Sequence, residues 1–182
     1  MIEGAPEPSI PITITHLEMT EQPRRQPPPP PAIPHAVMCA EKITVAYSRF
    51  LYNTVGEQWT WSNRRWLTDG ELAETVQAEG VETYVLYVRG TPAGYTELDF
   101  RELPEVAELS YFGLMPDFIG MKLGPWFLNW TISALWARGP QKVIINTCTA
   151  DHPAALPMYQ RAGFTPVRRE EAMLRPMPEQ GD

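Results

Sequence analysis

The chain has 182 residues, 43% of them hydrophobic and 20% charged, which is enough apolar material for one domain with a sizeable core. Its net charge of -7 argues against a nucleic-acid partner, because neutralising phosphates takes clustered Lys and Arg. Cys39 and Cys148 lie far apart and no Cys/His cluster has metal-ligand spacing, so neither a disulfide framework nor a bound metal is expected.

Met1-Ile2-Glu3-Gly4-Ala5-Pro6 carries no basic segment and no apolar one, and no later stretch is apolar enough to span a bilayer. A cytoplasmic protein without a membrane partner is therefore expected. Ile10-Pro11-Ile12-Thr13-Ile14-Thr15-His16-Leu17 places β-branched residues at period two and predicts a strand. The run Pro23-Arg24-Arg25-Gln26-Pro27-Pro28-Pro29-Pro30-Pro31 must be extended, because each proline fixes its own φ and restricts its predecessor. Such a run is either a stiff connector from the first strand to the first helix or a ligand for an aromatic-grooved module. Residues 1–35 thus read as a strand and proline-rich connector, and 36–182 as a single domain whose sheet the first strand joins.

Ile43, Ala46, Tyr47, Phe50, Leu51 and Val55 recur at helical spacing and describe one buried face. A second helix starts at Thr68, where Thr68 and Glu71 have capping-box spacing, and should end near Gly80. Tyr84–Val88 and Ala93–Asp99, joined by a short turn, read as a hairpin, and Val106–Leu114 as a further strand. With the first strand these should form a mainly antiparallel meander.

After Gly124 the period changes. Pro125 suits a first helical position, Trp126, Phe127, Trp130, Leu135 and Trp136 make a broad apolar surface, and Gly139-Pro140 stops the helix. Val143-Ile144-Ile145 is the apolar run of a strand buried on both faces and reached by a helical crossover, which makes a βαβ unit. A last helix contains Pro157 in its first turn, and Phe164 to Leu174 supplies closing strand.

A strand running into a Gly-containing turn and then a helix is a candidate anion site, because the first helical N–H groups are unpaired and the helix dipole favours negative charge there. Two blocks give this segment a family likeness. Leu114-Met115-Pro116-Asp117-Phe118-Ile119-Gly120 leads into Met121-Lys122-Leu123-Gly124-Pro125, and His152-Pro153-Ala154-Ala155-Leu156-Pro157-Met158-Tyr159-Gln160-Arg161-Ala162-Gly163-Phe164 follows the pattern Asn-x-x-Ala-x-x-x-Tyr-x-x-x-Gly-Phe with His152 at the Asn position. Over roughly Tyr84 to Glu170 the chain resembles the GNAT-type N-acetyltransferases. The family's turn motif, Arg/Gln-x-x-Gly-x-Gly/Ala, places Ile119, Lys122 and Gly124 at its defined positions, of which only Gly124 agrees.

The resemblance implies an α/β fold with a mixed, mostly antiparallel sheet and helices on both faces, and acetyl-CoA as co-substrate. It implies that the backbone of Phe112, Gly113 and Leu114 bonds the pantetheine arm where two strands splay, with Gly113 allowing close approach. Ile119, Gly120, Met121, Lys122, Leu123, Gly124 and Pro125 would hold the diphosphate, with His152 also on the cofactor side. If position 122 needs a positive φ, lysine costs on the order of 1 kcal/mol there, and Pro125 removes one donor. Tyr159 is the implied general acid, with an aromatic core residue as the other reading. Glu108 or Glu97 is the candidate base, each also readable as a plain strand carboxylate; strand alternation puts Glu108 on the face of Phe112.

The acceptor, a small-molecule or peptide amine, would be held by Tyr52, Trp59, Trp61 and Tyr111, near Arg64 and Arg65, where aromatics can form an apolar or cation-attracting wall. Neither cysteine has a basic partner to suggest a covalent route. A homodimer is left open, with Trp126 or Trp130 as exposed aromatics that could serve it. The rival to catalysis is a degenerate module of the same fold that binds coenzyme A or a protein partner without turnover.

Overall fold

The computed structural model describes residues 9–176. The reading of Met1 to Pro6 lies outside them. Seven strands form one sheet: β1 (Ile10–Met19), β2 (His35–Cys39), β3 (Val81–Val88), β4 (Thr91–Asp99), β5 (Val106–Leu114), β6 (Lys142–Cys148) and β7 (Thr165–Leu174). Their order is β2-β3-β4-β5-β6-β1-β7, and every neighbouring pair is antiparallel except β5 and β6. Four helices pack on the sheet: α1 (Val45–Gly56), α2 (Asp69–Val76), α3 (Leu123–Trp136) and α4 (Ala155–Ala162).

Local chemistry accounts for most boundaries. Thr44 caps α1, its side chain accepting from the Tyr47 N–H at 3.2 Å. Thr68 and Glu71 form the expected capping box at α2, satisfying two otherwise orphaned donors. That helix ends at Val76, short of Gly80, which instead turns the chain into β3 with φ 87°. The crossover from β5 through α3 to β6 is the predicted βαβ unit.

The sheet separates two cores. Leu17, Leu98, Leu109, Phe112, Phe127, Leu128 and Val143 pack on the α3 and α4 side, whereas Leu51, Val55, Leu72, Val85 and Tyr95 pack under α1 and α2. Trp126 and Trp130 are not free aromatics: both pack against the first core, Trp126 meeting the His35 ring edge-on at 4.7 Å and Trp130 meeting Tyr84 at 5.1 Å.

Two features depart from the sequence reading. β1 takes no place in the meander; it lies between β6 and β7, its Leu17 opposite Ile145 on one side and Pro166 on the other. β2, not foreseen, is the far edge, so the proline run joins strands five places apart. At about 4.8 Å per strand that gap is roughly 24 Å, well within the reach of an extended run at about 3.1 Å per residue. The run is held to the α3 and α4 face, where Arg25 bonds the Arg161 carbonyl and Ile33 packs on the core. It is a connector in this fold.

Candidate active site

The parallel neighbours β5 and β6 share only three register pairs, Val106 with Lys142, Ala107 with Val143 and Glu108 with Ile144. Beyond Glu108 they part, while β5 stays paired to β4 as far as Leu114 opposite Gly94. The edge of β5 facing β6 is thereby left with main-chain donors and acceptors that have no strand partner, at the mouth of a cavity of about 680 Å³.

This cavity gathers nearly all the candidate residues. Phe112, Gly113, Leu114, Ile119, Gly120, Lys122, Leu123, Gly124, Pro125, His152 and Tyr159 line it, as do Tyr52, Trp59, Trp61, Tyr111, Glu97 and Glu108. Met121 does not line it and is 46% exposed.

At the turn, Gly120 has φ 86° and Lys122, which precedes the first residue of α3, has φ 60°. The helix begins at Leu123, so Pro125 is its third residue and not its first. Proline is tolerated there because the third N–H of a helix has no intrahelical acceptor in any case. The cost falls on anion binding: Leu123 and Gly124 still offer N–H groups, and Pro125 does not. No side chain caps this end of the helix.

Tyr159 sits on α4 with 6% of its surface exposed, and its hydroxyl makes no hydrogen bond among the described residues. Burial, and secondarily Asp151, push its pKa well above that of a free phenol, so it holds its proton at neutral pH. His152 has a structural duty: its Nδ1 accepts from the Ala154 N–H at 3.0 Å and its ring lies 4.5 Å from that of Trp59.

The two glutamates differ sharply. Glu97 is 3% exposed and bound in a fork by Arg64, with Nη1 2.5 Å from Oε2 and Nη2 on Oε1. Arg64 in turn lies over the Tyr111 ring, 4.3 Å from its centroid. Both carboxylate oxygens of Glu97 are therefore committed to a buried ion pair. Glu108 has no such partner. Burial first, then the charges of Asp99 and Glu102, raise its pKa above the ordinary carboxylate value.

A β-bulge corrects the expected facing of Glu108. Glu97 pairs with Tyr111 but Leu98 pairs with Leu109, so Ser110 is an extra residue in β5 and the alternation shifts there. Leu109 and Phe112 both enter the α3 core, which puts Glu108 on the opposite face, with Tyr111. Gly113 also has a packing role. Its missing side chain is filled from the protein itself: a Cβ there would lie 2.2 Å from Val55 Cγ1 of α1.

Three residues of the aromatic wall, Tyr52, Trp61 and Tyr111, form one cluster, while the Trp59 ring meets His152. Trp61 lies 5.4 Å from Tyr52 and 5.2 Å from Tyr111 between ring centroids. Its Nε1 donates to Asp151 Oδ1 at 3.0 Å, while Asp151 Oδ2 accepts from Thr147 Oγ1 and the Cys148 N–H at 2.7 and 2.8 Å. Sequence reasoning gave Asp151 and Arg64 no roles of their own, because their partners are respectively 90 and 33 residues away. Among the described residues no group of three or more His, Cys, Asp or Glu could hold a metal ion, and no helix is long and apolar enough to cross a membrane.

A model of the acetyltransferase (GNAT) family matches residues 41–164, more than half of the chain. The chain belongs to the GNAT family. Solved structures agree on the fold at low identity. A GNAT-family acetyltransferase, itself described as putative, from Novosphingobium aromaticivorans is 16% identical with a TM-score of 0.59, over 92% of this chain and 66% of that one. The ribosomal-protein-S18-alanine N-acetyltransferase of Escherichia coli is 15% identical with a TM-score of 0.59, over 82% and 99%. An aminoglycoside acetyltransferase from an uncultured soil metagenomic sample, solved with sisomicin, is 10% identical with a TM-score of 0.57, over 71% and 87%. Against the Novosphingobium aromaticivorans structure and three other solved structures of similar fold, this GNAT chain spans between 55% and 66% of their length. A search of the curated proteins finds no match.

Proposed function

We propose that this chain is an N-acetyltransferase that moves an acetyl group from acetyl-CoA to a small-molecule or peptide amine by direct attack. The observation that carries the reading is the parting of β5 from β6 after Glu108, which leaves the β6-facing main-chain groups between Leu109 and Leu114 without a strand partner, beside the N-terminus of α3. An extended pantetheine arm satisfies such an edge as an added strand would, and the N–H groups of Leu123 and Gly124, with the Lys122 ammonium, suit a diphosphate.

Acetyl-CoA supplies the acetyl group and leaves as the thiol. Main-chain N–H groups of β5 polarise the carbonyl under attack. Glu108, lifted in pKa and free of an ion-pair partner among the described residues, takes one proton from the acceptor ammonium, directly or through water, before the freed lone pair forms the carbon–nitrogen bond; the second N–H proton leaves to solvent after attack, and solvent reprotonates Tyr159. Tyr159 gives its phenol proton to the departing sulfur. Glu97, forked onto Arg64, instead holds Arg64 against Tyr111 and so shapes the acceptor wall with Tyr52, Trp59 and Trp61.

One observation favours the non-catalytic alternative. Lys122 in a left-handed conformation and Pro125 at the third helical position weaken the anion site. Calorimetry with acetyl-CoA and coenzyme A, followed by thiol-release assays over a panel of amines, tests both readings. Binding with turnover supports the enzyme; binding without turnover for any amine supports the module. No binding at millimolar ligand defeats the enzyme and leaves only a module that takes a protein partner.

A further inference from the structure

The connector between β1 and β2 has a periodicity of its own. Gln26, Pro27, Pro29 and Pro30 are exposed, whereas Pro28 and Pro31 are half-buried. A polyproline II helix has three residues per turn, so the edge that carries Pro28 and Pro31 lies against the body of the protein. The other two edges, one with Gln26 and Pro29 and one with Pro27 and Pro30, face outward.

That division is the one a polyproline-reading groove requires. Rows of aromatic rings in such grooves take two X-Pro pairs one turn apart and leave the residue between the pairs pointing away. The pairs here are Gln26-Pro27 and Pro29-Pro30, and at about 3.1 Å per residue their prolines stand roughly 9 Å apart. The residue between them is Pro28, the one already turned toward the fold.

The fold also holds this ridge ready. Arg25, at a bend just before it, bonds the Arg161 carbonyl of α4, and Ile33, just after it, packs on the core. Each proline fixes its own φ, so little conformational freedom is left to lose on docking. Arg24 is exposed and makes no hydrogen bond or ion pair among the described residues, which leaves a cation at one end of the ridge to meet a carboxylate. None of residues 23–31 lines the acetyl-transfer cavity, so an occupant of the ridge would sit apart from it.

We propose that Gln26 to Pro30 is a docking ridge for a partner domain whose groove is lined by aromatic rings and ends in a carboxylate that pairs with Arg24. The test is calorimetric titration of the full chain with purified SH3, WW and EVH1 domains, with circular dichroism to verify that each variant is folded.

Saturable one-to-one binding to at least one of these domains is expected. Pro27→Ala, Pro30→Ala and Arg24→Glu should each weaken it by about tenfold or more, and Pro28→Ala by about twofold at most. No binding to any of the three at about 1 mM overturns the proposal. So does a loss from Pro28→Ala as large as that from Pro27→Ala, because the groove would then be reading the edge that the fold covers. Binding indifferent to Arg24→Glu overturns it as well.

Discussion

Trp61 donates from its indole nitrogen to Asp151 at 3.0 Å, and this bond fastens the connection between α1 and α2 to the loop leading into α4. The same carboxylate receives the Cys148 N–H and the Thr147 hydroxyl, so a single side chain fixes the position of the aromatic cluster relative to the helix that carries Tyr159. Replacing Asp151 with Ala should cost about 2 kcal/mol in urea unfolding, because three donors lose their acceptor in a part-buried site. The KM for the amine should rise more than the KM for acetyl-CoA. Equal changes in both would count against a wall-positioning role.

Tyr159→Phe removes only the hydroxyl from a packed ring. Turnover should fall by about 10²- to 10⁴-fold, with coenzyme A affinity by calorimetry unchanged. A variant that loses both would show that the hydroxyl serves coenzyme A binding and not proton transfer alone, since the ring and its contact with Phe164 are kept.

Glu108 makes a prediction with a sign. Its folded-state pKa lies above the ordinary 4.5, so the folded protein holds this proton to higher pH than the unfolded chain does. The group's contribution to stability is therefore best at low pH and is lost as pH rises from 4.5 through the folded value. Glu108→Gln should flatten that part of the stability profile, stabilise the protein at neutral pH, and lower kcat/KM by about 100-fold. Denaturation midpoints and initial rates across the same pH series measure both.

Gly113 is set by α1. Alanine there should destabilise by about 1–3 kcal/mol through overpacking against Val55, and Val55→Ala in the same chain should recover most of the loss. Thermal unfolding of the two singles and the double closes the cycle.

Lys122 holds a left-handed conformation that glycine adopts freely, with φ 60°. Lys122→Gly should stabilise the fold by about 1 kcal/mol. If the ammonium serves the diphosphate, the same change weakens coenzyme A binding, so stability and affinity move in opposite directions in paired unfolding and calorimetry experiments.

What the sequence revealed, and what it hid, follow from range. The capping box at Thr68, the hairpin around Gly90 and the β5–α3–β6 crossover are written in neighbouring residues, and all three are present. The fork between Arg64 and Glu97 and the bond between Trp61 and Asp151 are not, because no periodicity links residues that only the sheet brings together. The facing of Glu108 was misread for a different reason. Alternation is a sound rule until one residue is inserted, and Ser110 leaves no mark in composition to announce a bulge. β2 was missed because His35-Ala36-Val37-Met38-Cys39 is a short edge strand with one β-branched residue.

The place of β1 has a consequence for how the molecule is made. This strand precedes the other six in the chain, yet both of its neighbours, β6 and β7, come more than 120 positions later. Until they emerge, β1 has no ladder to join, and the proline run keeps it extended and apart from β2. Closing the sheet is therefore a long-range event, slow by its contact order and impossible to finish before β6 and β7 have been translated. The earliest of these seven strands in the chain is among the last to be placed.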